Sequence, residues 1–193
     1  MGSTISWRSR SIERLPGSTL PELHELAQTL VAGLVSAGIQ IAVAESCTAG
    51  ALANSMAKAE GASEALFGGF VAYTAGAKSA LLAVPSELIA DHSAVSRPVA
   101  RALATGVLAK TGVALALAVT GVTGASEDER GNPRGRVHIA AATANGHGFD
   151  CHCEFGSFPP AVLLDAALRT ALSLGCEALA AIASSQASVR GGR

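Results

Sequence analysis

The chain has 193 residues, of which 49% are hydrophobic, 15% charged and only 4% aromatic. That length suits one domain with a core of Ala, Val, Leu and Ile. A formal net charge of −1 gives no electrostatic case for nucleic acid or an anionic membrane as partner, and no stretch offers about 18 consecutive apolar residues, so no membrane span is expected.

Residues 1–18 are rich in Ser, Arg and Gly and lack apolar periodicity. A flexible tail is expected there, with Trp7 and Ile12 as its contacts to the body. The stretch also lacks the apolar core of a secretory signal. One folded domain is expected over residues 19–185, followed by a second flexible tail over residues 186–193. In "LPELHELAQTLVAGLVSAG", Leu23, Leu26, Leu30, Val31 and Leu34 recur at helical spacing, and Gly38 suits the C-cap. "IQIAVA" reads as a buried strand. "TAGALANSMAKAEG" reads as a helix ending at Gly61, and "GGFVAYT" as a strand. "AGAKSALLAV" predicts a helical turn or two. "SRPVARALATGVLAKTG" predicts a helix with Ser96 as N-cap and Pro98 near its start. "VALALAVTG" is a strand running into a glycine loop. "RVHIAAAT" and "GFDCHCEF" predict an antiparallel hairpin joined by "ANGH", and "PPAVLLDAALRTALSLGCEALAAIA" a long closing helix. The sum is an α/β protein: a single three-layer α/β/α domain with a mixed, mostly parallel sheet and a C-terminal hairpin plus helix.

Ligands of such sheets bind beyond the carboxyl ends of strands. Three clusters lie at such ends. Glu45, Ser46, Cys47 and Thr48 stand where "IQIAVA" passes into a helix; Tyr73, Thr74 and Lys78 follow the next strand; Thr120, Gly121, Thr123 and Gly124 follow a third. The first N–H groups of a helix favour an anion or a capping oxygen, so Ser46 or Thr48 serves either as cap or in a reaction. A lysine among apolar neighbours, as in "AGAKSALLAV", has its pKa lowered by desolvation and can act as a base, and a serine beside a lysine base is a nucleophile. An exposed helix lysine is the plain alternative. Cys47 competes with Ser46, because a thiol at a helix start gains thiolate character; its alternative is a small buried apolar side chain.

"AESCTAG", "GGFVAYTAGAK" and "AVTGVTGASEDERGNPRGRV" together resemble the CinA C-terminal domain family, whose better-understood members are nicotinamide-nucleotide amidohydrolases, often called PncC. The similarity covers roughly residues 20 to 183. The resemblance implies hydrolysis of the carboxamide of nicotinamide mononucleotide (NMN) to nicotinate mononucleotide and ammonia, without cofactor or metal. It implies Ser46 as nucleophile, Lys78 as its base and Tyr73 as a hydrogen-bonding assistant. Around them Glu45, Cys47, Thr48, Gly50, Thr74, Thr120, Gly121 and Gly124 are the candidate substrate contacts, with Glu45 orienting Lys78 or a ribose, or else stabilising the helix start. Main-chain N–H groups near Cys47 and Thr48 suit an oxyanion, and the "TGVTG" loop a phosphate. The sequence departs from the family's usual pattern at Ala49, where a glycine is usual, and in "TGVTGASED", where Glu127, Asp128 and Glu129 follow a loop lacking its usual proline. "FGSFPPAVLL" carries none of the family's late arginines. A binding protein that retains the fold, or an amidase of a non-phosphorylated amide, therefore stays open.

His147, Cys151, His152 and Cys153 have poor spacing for zinc: alternation on a strand puts both thiols on one face and His152 on the other. The "TGVTG" glycines match no dinucleotide fingerprint. Four cysteines are too few for a disulfide scaffold in a chain of this length. The expected setting is the cytoplasm. The expected partners are a small pyridine nucleotide and, given the long alanine-rich last helix, further copies of the chain.

Overall fold

The computed structural model describes residues 4–15 and 21–191. Six strands form one sheet: β1 (Ser6–Ile12), β2 (Ile41–Glu45), β3 (Leu66–Val71), β4 (Leu115–Gly121), β5 (Arg136–Thr143) and β6 (His147–Glu154). Their spatial order is β1-β6-β5-β4-β2-β3. β2 pairs in parallel with β3 and β4, the pairs β4–β5 and β5–β6 are antiparallel, and β1 lies parallel to β6.

The sheet is buried on both faces, and its strands divide their side chains by size. Ile41, Val43, Leu115, Leu117 and Ile139 meet the helices α1 (Leu23–Ala37), α2 (Ala51–Ala57), α3 (Ala62–Ala65) and α7 (Pro160–Gly191). Ala42, Ala44, Ala116, Ala118 and Ala140 meet α4 (Ala75–Leu82), α5 (Ser86–His92) and α6 (Arg97–Thr111). Near-continuous apolar strands are what double burial demands. Alanines on the second face let α6 lie close. Gly106 of α6 in turn admits α4, since a Cβ there would stand 2.3 Å from the Leu82 carbonyl oxygen.

Three expectations are corrected. Within the stretch read as a tail, residues 6–12 form β1, in register with His147–Cys153. β1 has no apolar alternation. Its partners are polar and distant: Ser9 donates to Asp150 at 3.1 Å, Arg10 pairs with Glu177 at 2.8 Å, and Arg101 lies over the Trp7 ring at 4.9 Å. Local pattern could not reveal such a strand. Residues 1–3 and 16–18 of that stretch lie outside the described residues. At the other end α7 runs on to Gly191, past residue 186 where a tail was expected; Gly192 and Arg193 lie outside the described residues. The helix expected to end at Gly61 is broken, because α2 stops at Ala57 and Gly61, at φ 85°, starts α3.

Residues 160–185 of α7 are long and apolar enough to cross a membrane by length and composition. Here that apolar face, with Leu163, Ala167, Ala171 and Leu172, is part of the core under the sheet.

β3, β2 and β4 run the same way, so their carboxyl ends share one edge of the sheet. β2 leaves toward α2 on one face, while β3 returns to β4 through α4–α6 on the other. The crevice between such diverging connections is where α/β sheets hold ligands.

Candidate active site

β2 ends at Glu45, and the chain turns at once: the Ser46 N–H donates to the Val119 carbonyl at 3.0 Å. Ala49 at φ 47° and Gly50 at φ 98° carry the turn through the left-handed region, and α2 starts only at Ala51. The Glu45 carboxylate, 1% exposed, accepts the N–H groups of Gly50, Leu52 and Ala53 at 2.8–2.9 Å. Glu45 therefore holds the helix start from beneath, as its second reading had it. It does not line the cavity, and no hydrogen bond between it and Lys78 is found among the described residues. Because Glu45 satisfies these donors, Ser46 is not consumed as a cap.

α4 supplies the second group. Thr74 is its N-cap, accepting the Ala77 N–H at 3.1 Å. One turn on, Lys78 points back under the end of β3. It is 1% exposed, and its Nζ stands 2.8 Å from Ser46 Oγ, 3.1 Å from the Ala72 carbonyl oxygen and 3.3 Å from that of Tyr73. Its contacts are a hydroxyl and two carbonyls, with no carboxylate among them. Burial accordingly lowers its pKa from 10.5 to about 8. Nζ donates to all three oxygens, and Ser46 Oγ in turn donates to the Tyr73 carbonyl at 3.3 Å.

The dyad lies in a cavity of about 830 Å³, a size that suits a nucleotide-like small molecule. Of the predicted contacts, Cys47, Tyr73, Thr74, Thr120, Gly121 and Gly124 line it together with Ser46 and Lys78. Thr120 Oγ1 donates to the Ala94 carbonyl at 2.8 Å and ties β4 to the loop before α6; Thr123 Oγ1 donates to the Cys47 carbonyl at 3.2 Å and ties the glycine loop to the Ser46 turn.

Other assignments change. Burial pushes the Cys47 thiol up to about 12, so it stays protonated near neutrality and does not rival Ser46. Tyr73 meets the dyad through its carbonyl. Its side chain is 65% exposed at the rim, and no phenol hydrogen bond to Ser46 or Lys78 is found among the described residues. Thr48 and Gly50 do not line the cavity. The Thr48 hydroxyl is buried without a hydrogen-bond partner, and Gly50 serves the turn.

Part of the wall was not foreseen: residues Ile89, Ser93, Ala94 and Val95, between α5 and α6. Their signal in the sequence is slight, because only tertiary packing brings that loop over the end of β4. The loop after Gly124 adds Glu127, Asp128, Glu129 and Arg130.

The Cys151 and Cys153 thiols face one side of β6, 3.5 Å apart, while His152 faces His138 on the other, as strand alternation requires. No group of three or more His, Cys, Asp or Glu side chains able to hold a metal ion occurs among the described residues.

Comparison with known proteins agrees with this geometry. The model of the CinA C-terminal domain matches residues 23–178, and the chain belongs to that family. The CinA-like protein of Anaeromyxobacter sp. (strain K) is 44% identical over 122 residues, 63% of this chain and 30% of that protein. The CinA-like protein of Mycolicibacterium gilvum is 46% identical over 121 residues, 63% of this chain and 28% of that one. The chain thus spans under a third of these relatives' length. Among solved structures, the competence/damage inducible protein of Agrobacterium tumefaciens superposes with a TM-score of 0.78 at 33% identity, covering 83% of this chain and 97% of that one. A CinA superfamily protein of Klebsiella pneumoniae gives 0.78 at 30% identity, with 83% and 99% covered.

Proposed function

We propose that the chain is an amidohydrolase that deamidates the carboxamide of a nicotinamide-bearing compound, with NMN as the substrate the family resemblance implies. The observation that carries this reading is the 2.8 Å contact between Ser46 Oγ and a buried Lys78 Nζ that has no carboxylate partner. Neutral Lys78 takes the Ser46 proton as Oγ attacks the carboxamide carbon. The C–N bond then breaks, and Lys78 passes that proton to the leaving nitrogen, which departs as ammonia. Water attacks the resulting ester; Lys78 accepts its proton and returns it to Ser46 Oγ, leaving the carboxylic acid. Among the described residues the N–H group of Cys47, which lines the cavity, donates to no other main-chain group, and it is our candidate for an oxyanion donor.

Ammonia release from NMN by the purified protein tests the assignment. Ser46→Ala and Lys78→Met should each lower kcat/KM at least about a thousandfold while circular dichroism stays unchanged. Retention of activity in either variant would remove that residue from the mechanism.

A further inference from the structure

Resting on the amidohydrolase reading, we infer that the cavity selects among carboxamides by net charge. It favours a cationic carboxamide without a phosphate, such as a pyridinium nucleoside, over the same ring on an anionic nucleotide.

The charged side chains that line the cavity are Lys78, Glu127, Asp128, Glu129 and Arg130. The two cations are held differently: Lys78 is buried and Arg130 is exposed. Lys78 is committed to Ser46 and two carbonyls and must be neutral to accept a proton. Arg130 donates through one guanidinium nitrogen to the Ala90 carbonyl at 2.7 Å. Two further arginines lie beside the cavity without lining it, and Arg134 shares an adjoining pocket with Glu127. Arg134 donates to the carbonyls of Gly124 and Phe158, and Arg136 donates to Glu154 and Asn132; neither lines the cavity.

The carboxylates are differently placed. Asp128 is occupied by the N–H groups of Arg130 and Asn132 and by the Asn132 side chain. Glu127 and Glu129 are exposed, and no ion pair to either is found among the described residues. Three carboxylates therefore outnumber the two cations on the cavity wall, whatever the protonation state of Lys78. Such a wall attracts a pyridinium ring and repels a phosphate, and it acts at a distance that salt can screen. The dyad at the base of the cavity places the reacting amide, while the acidic loop meets whatever extends from it.

The test compares nicotinamide riboside with NMN by ammonia release at pH 8, in low and in moderate salt, for the wild type and for Glu127→Gln/Glu129→Gln. The wild type should favour the riboside by at least about tenfold in kcat/KM at low salt, equivalent to about 1.4 kcal/mol. That ratio should shrink in salt and fall by about tenfold in the double variant. Preference for NMN in the wild type, or a ratio unmoved by both salt and substitution, would overturn the inference. Titration of both compounds into Ser46→Ala separates it from the reading beneath it. If neither compound releases ammonia, the amidohydrolase reading fails, yet tighter, salt-sensitive binding of the riboside than of NMN still upholds charge selection. Equal binding, tighter NMN binding or binding of neither overturns it.

Discussion

Two buried clusters of ionisable groups lie at opposite ends of the sheet, and they are built in opposite ways. At the β1–β6–α6 end, Asp150 is 1% exposed and ion-paired: Oδ2 accepts from Arg101 at 2.6 Å and from Ser9 at 3.1 Å, and Arg97 stands 2.9 Å from Oδ1. At the β2–β3–β4 end, Lys78 is equally buried but meets only neutral oxygens. The paired charge joins β1, β6 and α6. The unpaired one gives up its proton near neutrality. Burial alone therefore does not mark a reactive group; burial without a counter-charge does.

Breaking the paired cluster should have the largest effect on stability. Asp150→Ala leaves two guanidinium groups without their partner, and a loss of roughly 3–5 kcal/mol, or about 10 °C in Tm, is expected. Hydrolysis per folded molecule should persist, because Asp150 does not line the cavity. Loss of activity in the folded fraction would merge the two clusters into one functional unit.

The unpaired cluster should respond in the opposite direction. A pKa of about 8 for Lys78, against about 10.4 in an unfolded chain, means that the unfolded state binds more protons between these pH values. Stability from this group therefore rises with pH through that window, and the full cost, roughly 3 kcal/mol, applies below pH 8. Lys78→Met should leave Tm at pH 7 unchanged or raise stability by about 1–2 kcal/mol, after loss of the hydrogen bonds, and should abolish the rise toward pH 10. In the wild type, kcat/KM should climb to a plateau above about pH 8. A stability loss in Lys78→Met equal to that of Asp150→Ala would show that Lys78 is structural after all.

The smallest effect concerns the turn just after Ser46. Ala49 occupies the left-handed region at φ 47°, which costs an L-residue about 1 kcal/mol relative to glycine. Ala49→Gly should raise stability by at most about 1 kcal/mol after the entropy of the unfolded glycine is counted. A destabilised variant would mean that the Ala49 methyl has packing of its own.

Much of the sheet was legible because it rests on local signals, whereas the pairing of Ser46 with Lys78 was an expectation that the family resemblance implied. "IQIAVA" and "VALALAVTG" are apolar along their whole length, as only doubly buried strands are. The hairpin of β5 and β6 follows from two alternating runs and a turn. Lys78 among alanines and leucines already suggested desolvation. Illegible were the features whose partners are remote. β1 is held by Asp150, Arg101 and Glu177, more than 90 residues away, so its own composition read as a tail. Glu45 was ambiguous because a carboxylate at a strand end serves a ligand or a helix equally well until the next helix is placed.

The sequence by itself determined the α/β class, most of the elements from α1 onward and the strand ends where polar groups gather, since apolar periodicity and glycine spacing are properties of contiguous residues. Only the tertiary structure decided that Glu45 turns under α2 and leaves Ser46 free. It also decided that Lys78 reaches Ser46 without meeting a counter-charge, and that the acidic loop lines the same cavity. Those outcomes depend on which distant groups satisfy each buried donor and acceptor, and that competition is settled when the layers pack.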